Sequence, residues 1–132
     1  MLHNGQDVWK NRILRANETL PLEPAGQLFH LKLVVTIPAG GRLTFNLRGI
    51  PLELTANSVA CGTNPALVQG QLQQVEILLD RGSIEVFANQ GEISLTRYVL
   101  PAENGLSVKA EGGDITLQSL SVYPLNSAWT KP

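Results

Sequence analysis

The sequence predicts a single all-β domain, a two-sheet antiparallel β-sandwich of the jelly-roll or concanavalin-like type. Large apolar residues recur at every second position in many short runs, and glycine or proline separates these runs. The 12 Gly and 8 Pro leave few stretches in which a helix could form. The length of 132 residues suits one domain, so we expect residues 1–132 to form one sandwich.

The N-terminal part of the chain contains the one segment for which a short helix is considered. Gln6–Leu20 is the longest span without Gly or Pro. Within it, Trp9, Ile13 and Leu14 could mark one short helical face. The expected order of elements therefore begins with this segment, and strands follow it.

The next two segments alternate between apolar and polar residues. In Phe29–Ile37 every odd position is large and apolar, and Arg42–Arg48 repeats this alternation. Such a pattern is typical of strands that face water on one side. Pro38–Gly41, which separates the two segments, predicts a hairpin connection between them.

Shorter alternating runs predict the remaining strands. The last run changes phase, because Ile115 and Leu117 face one way whereas Leu120 and Val122 face the other. We therefore expect a β-bulge near Gln118–Ser119. The predicted strands are Leu52–Thr55, Ser58–Cys61, Leu72–Asp80, Ser83–Asn89, Glu92–Leu100, Leu106–Ala110 and Asp114–Tyr123.

Three of these strands form a meander whose register can be predicted. A two-residue turn at Arg81–Gly82 pairs Leu79 with Ile84 and Ile77 with Val86. A second turn at Gln90–Gly91 pairs Val86 with Leu95 and Ala88 with Ile93. A slip of one residue would place polar side chains in the core. The predicted inter-sheet core is Phe29, Leu31, Leu33, Val35, Leu43, Phe45, Ile77, Leu79, Ile84, Val86 and Leu95.

The same register gathers carboxylates, hydroxyls and two aromatic rings on the reverse face of the meander. Composition alone favours a solvated sheet face with incidental aromatic residues. The alternative is a surface that contacts sugar or another domain. For Glu85, an ion pair with Arg97 or Arg81 is a simpler expectation than catalysis. The candidate contact residues are Asp80, Arg81, Ser83, Glu85, Phe87, Thr96 and Tyr98.

One segment of the meander carries a recognisable motif. Leu78–Glu92 reads Leu-Leu-Asp-Arg-Gly-Ser-Ile-Glu-Val-Phe-Ala-Asn-Gln-Gly-Glu. It resembles the signature of the C-terminal β-sandwich of glycoside hydrolase family 32, which comprises invertases, levanases and inulinases. Gly82 departs from a usual Ser or Thr, and Gln90 departs from a usual Asp. Further resembling segments follow the family order: Phe45–Pro51, Leu54–Cys61, Ala66–Leu67 with Gly70, Ala110–Gly113 and Leu120–Trp129.

The resemblance implies a role without catalysis for this chain. Family members place three catalytic carboxylates in an N-terminal five-bladed propeller, and none of the three motifs that carry them occurs here. We therefore expect no catalytic residue on this chain and a role in packing on and stabilising the propeller of a retaining β-fructosidase. The alternatives are a module that binds levan or inulin, or a stand-alone domain with a new partner. A homodimer is a further possibility.

Composition excludes several other classes of protein. The net charge is −1 and the ten basic residues are scattered, which argues against a nucleic-acid partner. No apolar run approaches the roughly 20 residues of a membrane span, and no signal peptide is expected in Met1–Lys10. We therefore expect a soluble chain, without an indication of its compartment. Cys61 is the single cysteine, and His3 and His30 lack partners at ligand spacing, so no metal and no cofactor is expected.

Overall fold

The computed structural model describes residues 7–22, 28–61, 65–80, 82–89, 91–98 and 105–125. Within these ranges the chain forms twelve strands and no helix. No helix that is long and apolar enough to cross a membrane is therefore found in this part of the chain. The strands are β1 Asp7–Leu14, β2 Thr19–Leu22, β3 Leu28–Thr36, β4 Arg42–Leu47, β5 Ile50–Thr55, β6 Ser58–Ala60, β7 Ala66–Leu67, β8 Gln74–Leu79, β9 Ser83–Ala88, β10 Ile93–Tyr98, β11 Leu106–Glu111 and β12 Ile115–Leu125.

The strands form two antiparallel sheets that pack face to face. Sheet A has the order β1-β12-β3-β8-β9-β10, and sheet B has the order β2-β11-β4-β5-β6-β7. Each sheet turns its alternating apolar residues toward the other, and these side chains form one continuous hydrophobic core. The predicted all-β sandwich is confirmed.

The predicted core is also confirmed, with one residue at its margin. Its members are buried except Leu95, which is half-buried because β10 is the edge strand of sheet A. The predicted meander register is found as well, with Leu79 opposite Ile84 and Val86 opposite Leu95. Alternation alone sufficed here because a slip of one residue would exchange the buried and exposed faces.

The predicted bulge lies in β12, the strand inserted between β1 and β3. The register between β12 and β3 shifts between Leu117 and Ser119. The extra residue lets Leu117 and Leu120 both face the core, although they are an odd number of positions apart, and both are fully buried.

The short helix considered for the N-terminal segment is wrong, because these residues form β1 and pair with β12. Asn11 adopts a positive φ of 52° and lies outside the strand register, between the pairs Lys10↔Ser119 and Arg12↔Leu117. This irregularity changes the phase of the strand. It places Leu14 in the core and leaves Ile13 57% exposed. The disrupted alternation imitated the four-residue spacing of a helix.

The hairpin predicted between Phe29–Ile37 and Arg42–Arg48 is also wrong. β3 belongs to sheet A and β4 to sheet B, so Pro38–Gly41 crosses from one sheet to the other. Ile37 continues beyond β3 and is buried, and the Gly41 N–H donates to Pro38 O at 2.9 Å. Two alternating runs separated by a turn signal are compatible with either connection, and only the partner strands distinguish them.

Candidate functional site

The predicted contact residues converge on the outer surface of sheet A. Asp80 follows β8, whereas the other described candidates lie on β9 and β10. Ser83 pairs with Tyr98, and Glu85 pairs with Thr96, so these side chains share one face. Arg81 lies outside the described residues. We refer to the following set as the outer meander face: Asp80, Ser83, Glu85, Phe87, Thr96 and Tyr98.

The outer meander face is accessible along its whole length. Tyr98 is 83% exposed, Asp80 and Thr96 are exposed, and Ser83 and Phe87 are partly exposed. Exposed aromatic rings beside carboxylates and hydroxyls can form stacking contacts and hydrogen bonds with a partner. The arrangement is therefore suited to contact with another molecule or domain.

Arg97 is not a partner of Glu85, so that part of the expectation for Glu85 is wrong. Arg97 pairs with Ile84 and points to the inner side of β10, where its Nη1 donates to Cys61 O of sheet B at 2.7 Å. It thus connects the two sheets near the edge. Burial raises the pKa of the Cys61 thiol, although the positive charge of Arg97 opposes this shift. A buried thiol whose pKa is raised is a poor nucleophile.

A buried arginine fixes the end of β8 next to the outer meander face. Arg48, in the β4–β5 turn of sheet B, is 6% exposed, and its guanidinium carbon lies 5.3 Å from the centroid of the Phe29 ring. Its Nη1 donates to Asp80 O at 3.4 Å, and its backbone N–H donates to Gly105 O at 2.9 Å. Burial lowers the pKa of Arg48, whereas the negative charge of Asp80 opposes this shift. Arg48 thereby fastens the end of β8 to sheet B.

The turn that carries Arg48 has a strained backbone. Arg48 has a φ of 54° and Gly49 a φ of 93°, and the Gly49 N–H donates to Asn46 Oδ1 at 2.8 Å. A left-handed conformation is unfavourable for arginine, so the surrounding contacts must hold it. The alternation in Arg42–Arg48 places Arg48 on the polar face of the run, so the sequence did not indicate its burial.

A polar and aromatic cluster on the adjacent strands β12, β3 and β8 extends the exposed surface, and the sequence did not predict it. His30 of β3 lies with Nε2 3.0 Å from Glu76 Oε1 of β8. The ring centroids of His30 and Tyr123 of β12 are 6.1 Å apart at an interplanar angle of 48°. These residues are far apart in the sequence, and only the strand order brings them together.

The described carboxylates on the outer surface of sheet A include Glu76 and Glu85, which lie on an open sheet face. A retaining glycosidase needs two carboxyl groups about 5–5.5 Å apart and an enclosed environment for its general acid. Glu76 is engaged with His30, and Glu85 lies on an open sheet. In the described ranges, no cluster of three or more His, Cys, Asp or Glu side chains could hold a metal ion. What this surface offers is hydrogen bonding and stacking.

Comparison with known proteins identifies the class of domain. Residues 51–124 match the family model described as "Glycosyl hydrolases family 32 C terminal". The chain belongs to this family of C-terminal domains. It is 36% identical over 64 residues to a levanase of Bacillus subtilis (strain 168). This alignment covers 47% of this chain and 9% of the levanase. It is 34% identical over 67 residues to a levanase of Bacillus sp. (strain L7), which covers 49% of this chain and 7% of that levanase. The matched region thus spans less than a tenth of either levanase.

Solved structures share the fold over nearly the whole chain. A fructofuranosidase of Schwanniomyces occidentalis superposes with a TM-score of 0.72 and 14% identity, covering 96% of this chain and 34% of that one. An exo-inulinase of Aspergillus awamori superposes with a TM-score of 0.70 and 18% identity, covering 94% of this chain and 29% of the inulinase. A galectin of Caenorhabditis elegans superposes with a TM-score of 0.61 and 16% identity, covering 87% of this chain and 94% of the galectin. At these identities the likeness concerns the fold. The galectin shows that such a sandwich can make up almost an entire chain.

Proposed function

We propose that this chain is the non-catalytic accessory β-sandwich of a fructan-cleaving glycoside hydrolase and packs on the catalytic propeller of that enzyme, which it stabilises. Membership in the family of C-terminal domains supports this proposal, as does the extent of the match, about a third of the solved fructofuranosidase. The observation that carries the proposal is the 83% exposure of Tyr98 on the outer meander face. Arg48 holds the backbone at Asp80, at one end of this face.

The composition of the outer meander face fits a domain interface. Tyr and Phe are enriched in protein interfaces, where a rigid aromatic ring contributes area at a small entropic cost. Tyr98 and Phe87 lie on neighbouring antiparallel strands, and the partly exposed Leu78 belongs to the next strand. Polar groups lie between these apolar groups, because Glu85 is opposite Thr96 on one side and Leu78 on the other. The partner would therefore contact apolar and hydrogen-bonding groups side by side on this face.

Tyr98→Ala is expected to weaken association with the propeller at least tenfold. Tyrosine is enriched among interface hot spots, and truncation of a hot-spot residue costs about 2 kcal/mol or more of binding free energy. The experiment mixes this chain with a separately produced propeller domain of the same enzyme and measures the affinity by sedimentation, together with the melting temperature of the propeller. The wild-type chain should raise that melting temperature, and Tyr98→Ala should raise it less.

Leu67→Ala is the matched control for this experiment. Leu67 is 73% exposed but lies in β7, at the edge of sheet B. Both variants should melt at the temperature of the wild-type chain when they are alone, because neither removes a buried group. Equal affinity of Tyr98→Ala and the wild type for the propeller would contradict docking through this face. Sedimentation of the chain alone shows whether it forms a homodimer.

The isolated chain is expected to have no β-fructosidase activity. The three carboxylate motifs of the family are absent from the sequence, and among the described residues Glu76 and Glu85 lie on an open sheet face. Release of fructose from sucrose, inulin and levan by the purified chain measures this directly. Turnover that disappears when Glu85 is replaced by Gln would contradict the prediction, whereas turnover that is unchanged in this variant would indicate a contaminating enzyme.

A further inference from the structure

A second candidate site lies at the opposite end of the sandwich from Asp80. An open cleft of about 770 Å³ is bordered by the β3–β4 connection, the β5–β6 turn, Gly70–Gln71 before β8, and the end of β11. Asp80 follows the last residue of β8, so the length of that strand, roughly 20 Å, separates the two ends. A partner that is bound around Asp80 would leave this cleft accessible. The volume is within the range of about 300–1,000 Å³ that is typical of small-molecule sites.

Arg42 and Glu111 form an ion pair at the cleft, and each keeps an atom with remaining hydrogen-bonding capacity. Nε and Nη2 of Arg42 lie 3.0 and 2.9 Å from Glu111 Oε1. The other guanidinium nitrogen, Nη1, is 3.8 Å from Glu53 Oε2, and Glu111 Oε2 is 3.8 Å from Lys109 Nζ. Both of these contacts are longer than a hydrogen bond. Arg42 Nη1 can therefore donate to one hydroxyl group while Glu111 Oε2 accepts from a neighbouring hydroxyl group.

The remaining polar groups of the cleft are uncharged. Asn57 and Gln71 are exposed and contribute side-chain amides, whereas the Thr55 hydroxyl is already engaged with Ser58 Oγ at 2.5 Å. Amides and hydroxyls both donate and accept hydrogen bonds, as sugar hydroxyls do. Because the lining charges of Arg42 and Glu111 compensate each other, the cleft favours a neutral polar ligand over an anion or a cation.

The walls of the cleft are fixed before any ligand arrives. The Leu72 N–H donates to Ala56 O at 2.7 Å, and Asn89 Nδ2 donates to Gln71 O at 3.0 Å, which holds the backbone of Gln71 on both sides. On the opposite wall, a Cβ at Gly112 would collide with Gly40 O, so the two backbones touch there. A preorganised wall reduces the entropy lost on binding.

We infer that this cleft binds a neutral oligosaccharide through vicinal hydroxyl groups. The paired donor and acceptor, the uncharged amides, the volume and the fixed walls are the observations that support this inference. The site is separate from the outer meander face, so failure of sugar binding would leave the docking role intact, and failure of docking would leave the sugar site intact. The name levanase, borne by the two bacterial relatives, makes fructose oligosaccharides the natural probes.

The test is a calorimetric titration of the chain with 1-kestose and with levan oligosaccharides. Gly70 borders the cleft, has a φ of 78° and has nothing within 4 Å of a Cβ placed on it, so Gly70→Asn adds a side chain in open space at the wall of the cleft. Asparagine tolerates this backbone conformation better than most residues. Gly70→Asn is expected to weaken binding at least tenfold, and Asn57→Ala is expected to weaken it severalfold.

Gly91→Asn is the matched control, because Gly91 also has a positive φ, of 95°, and open space around it, but does not border the cleft. It should bind the sugars like the wild type, as should Tyr98→Ala, and the melting temperatures of Gly70→Asn and Gly91→Asn should agree. Absence of saturable binding to the wild-type chain at about 10 mM sugar would overturn the inference. So would binding that survives both Gly70→Asn and Asn57→Ala, because the sugar would then lie elsewhere.

Discussion

Leu79→Ala is expected to lower the free energy of unfolding by about 2–4 kcal/mol, whereas Leu78→Ala should lower it by less than about 1 kcal/mol. The two leucines are neighbours in β8, but Leu79 is 3% exposed and packs in the core, whereas Leu78 lies on the outer surface of sheet A. Truncation at Leu79 removes buried methyl groups and leaves a cavity. Truncation at Leu78 removes methyl groups that are only partly buried, and solvent can fill the space they leave.

Urea denaturation of the isolated chain measures this difference, with the transition followed by circular dichroism. The pair of variants has identical chemistry and neighbouring positions, so the difference reports the register of β8 rather than the loss of a leucine as such. Equal losses at both positions would contradict the assignment of Leu79 to the core.

Asn89→Ala is expected to lower the free energy of unfolding by about 4 kcal/mol, of which about 3 kcal/mol comes from the loss of three hydrogen bonds and about 1 kcal/mol from the backbone conformation. Asn89 Oδ1 accepts from the backbone N–H groups of Gln73 and Gln74 at 2.9 and 3.1 Å, and Nδ2 donates to Gln71 O. Asn89 also has a φ of 49°, which alanine tolerates less well. This side chain joins the turn after β9 to the segment that enters β8.

Asn17→Ala separates the two contributions of Asn89. Asn17 has a φ of 68° and is exposed, and it is anchored through its backbone N–H, which donates to Ala110 O at 2.7 Å. Asn17→Ala should therefore lower the free energy of unfolding only by the cost of the positive φ, about 1 kcal/mol. Asn89→Asp keeps the acceptor and removes the donor, and it should fall between Asn89→Ala and the wild type. Similar losses for Asn89→Ala and Asn17→Ala in urea denaturation would show that the three hydrogen bonds contribute little.

The meander was predictable from the sequence because its information is local. Strands β8, β9 and β10 are consecutive, and the alternation along each strand determines which residues face the core. The outer meander face followed from the same register. The N-terminal strand was not predictable in this way, because β1 depends on β12 for its hydrogen bonds and Asn11 interrupts its alternation. A pattern of period two is lost when one residue leaves the register.

The remaining features of the surface depend on strand order, which no local pattern specifies. His30 and Tyr123 meet because β12 lies beside β3, and Arg48 reaches Asp80 because the two sheets are stacked. The cleft is formed by connections from both sheets. Asn89 was recognised as part of the family motif, but its role in holding Gln71 required the folded chain. Local alternation thus predicted faces, whereas contacts between distant strands required the topology.

The insertion of β12 between β1 and β3 has a consequence for the order of events during folding. Sheet A cannot close until β12 has been synthesised, because this strand supplies the pairing partners of both neighbours. The loop closed when Trp9 meets Leu120 spans most of the described chain, and such non-local pairing makes folding slow. On the ribosome, the edges of β1 and β3 that face β12 would remain unpaired until β12 has been translated. During that interval the unpaired edges expose the nascent chain to wrong strand pairing.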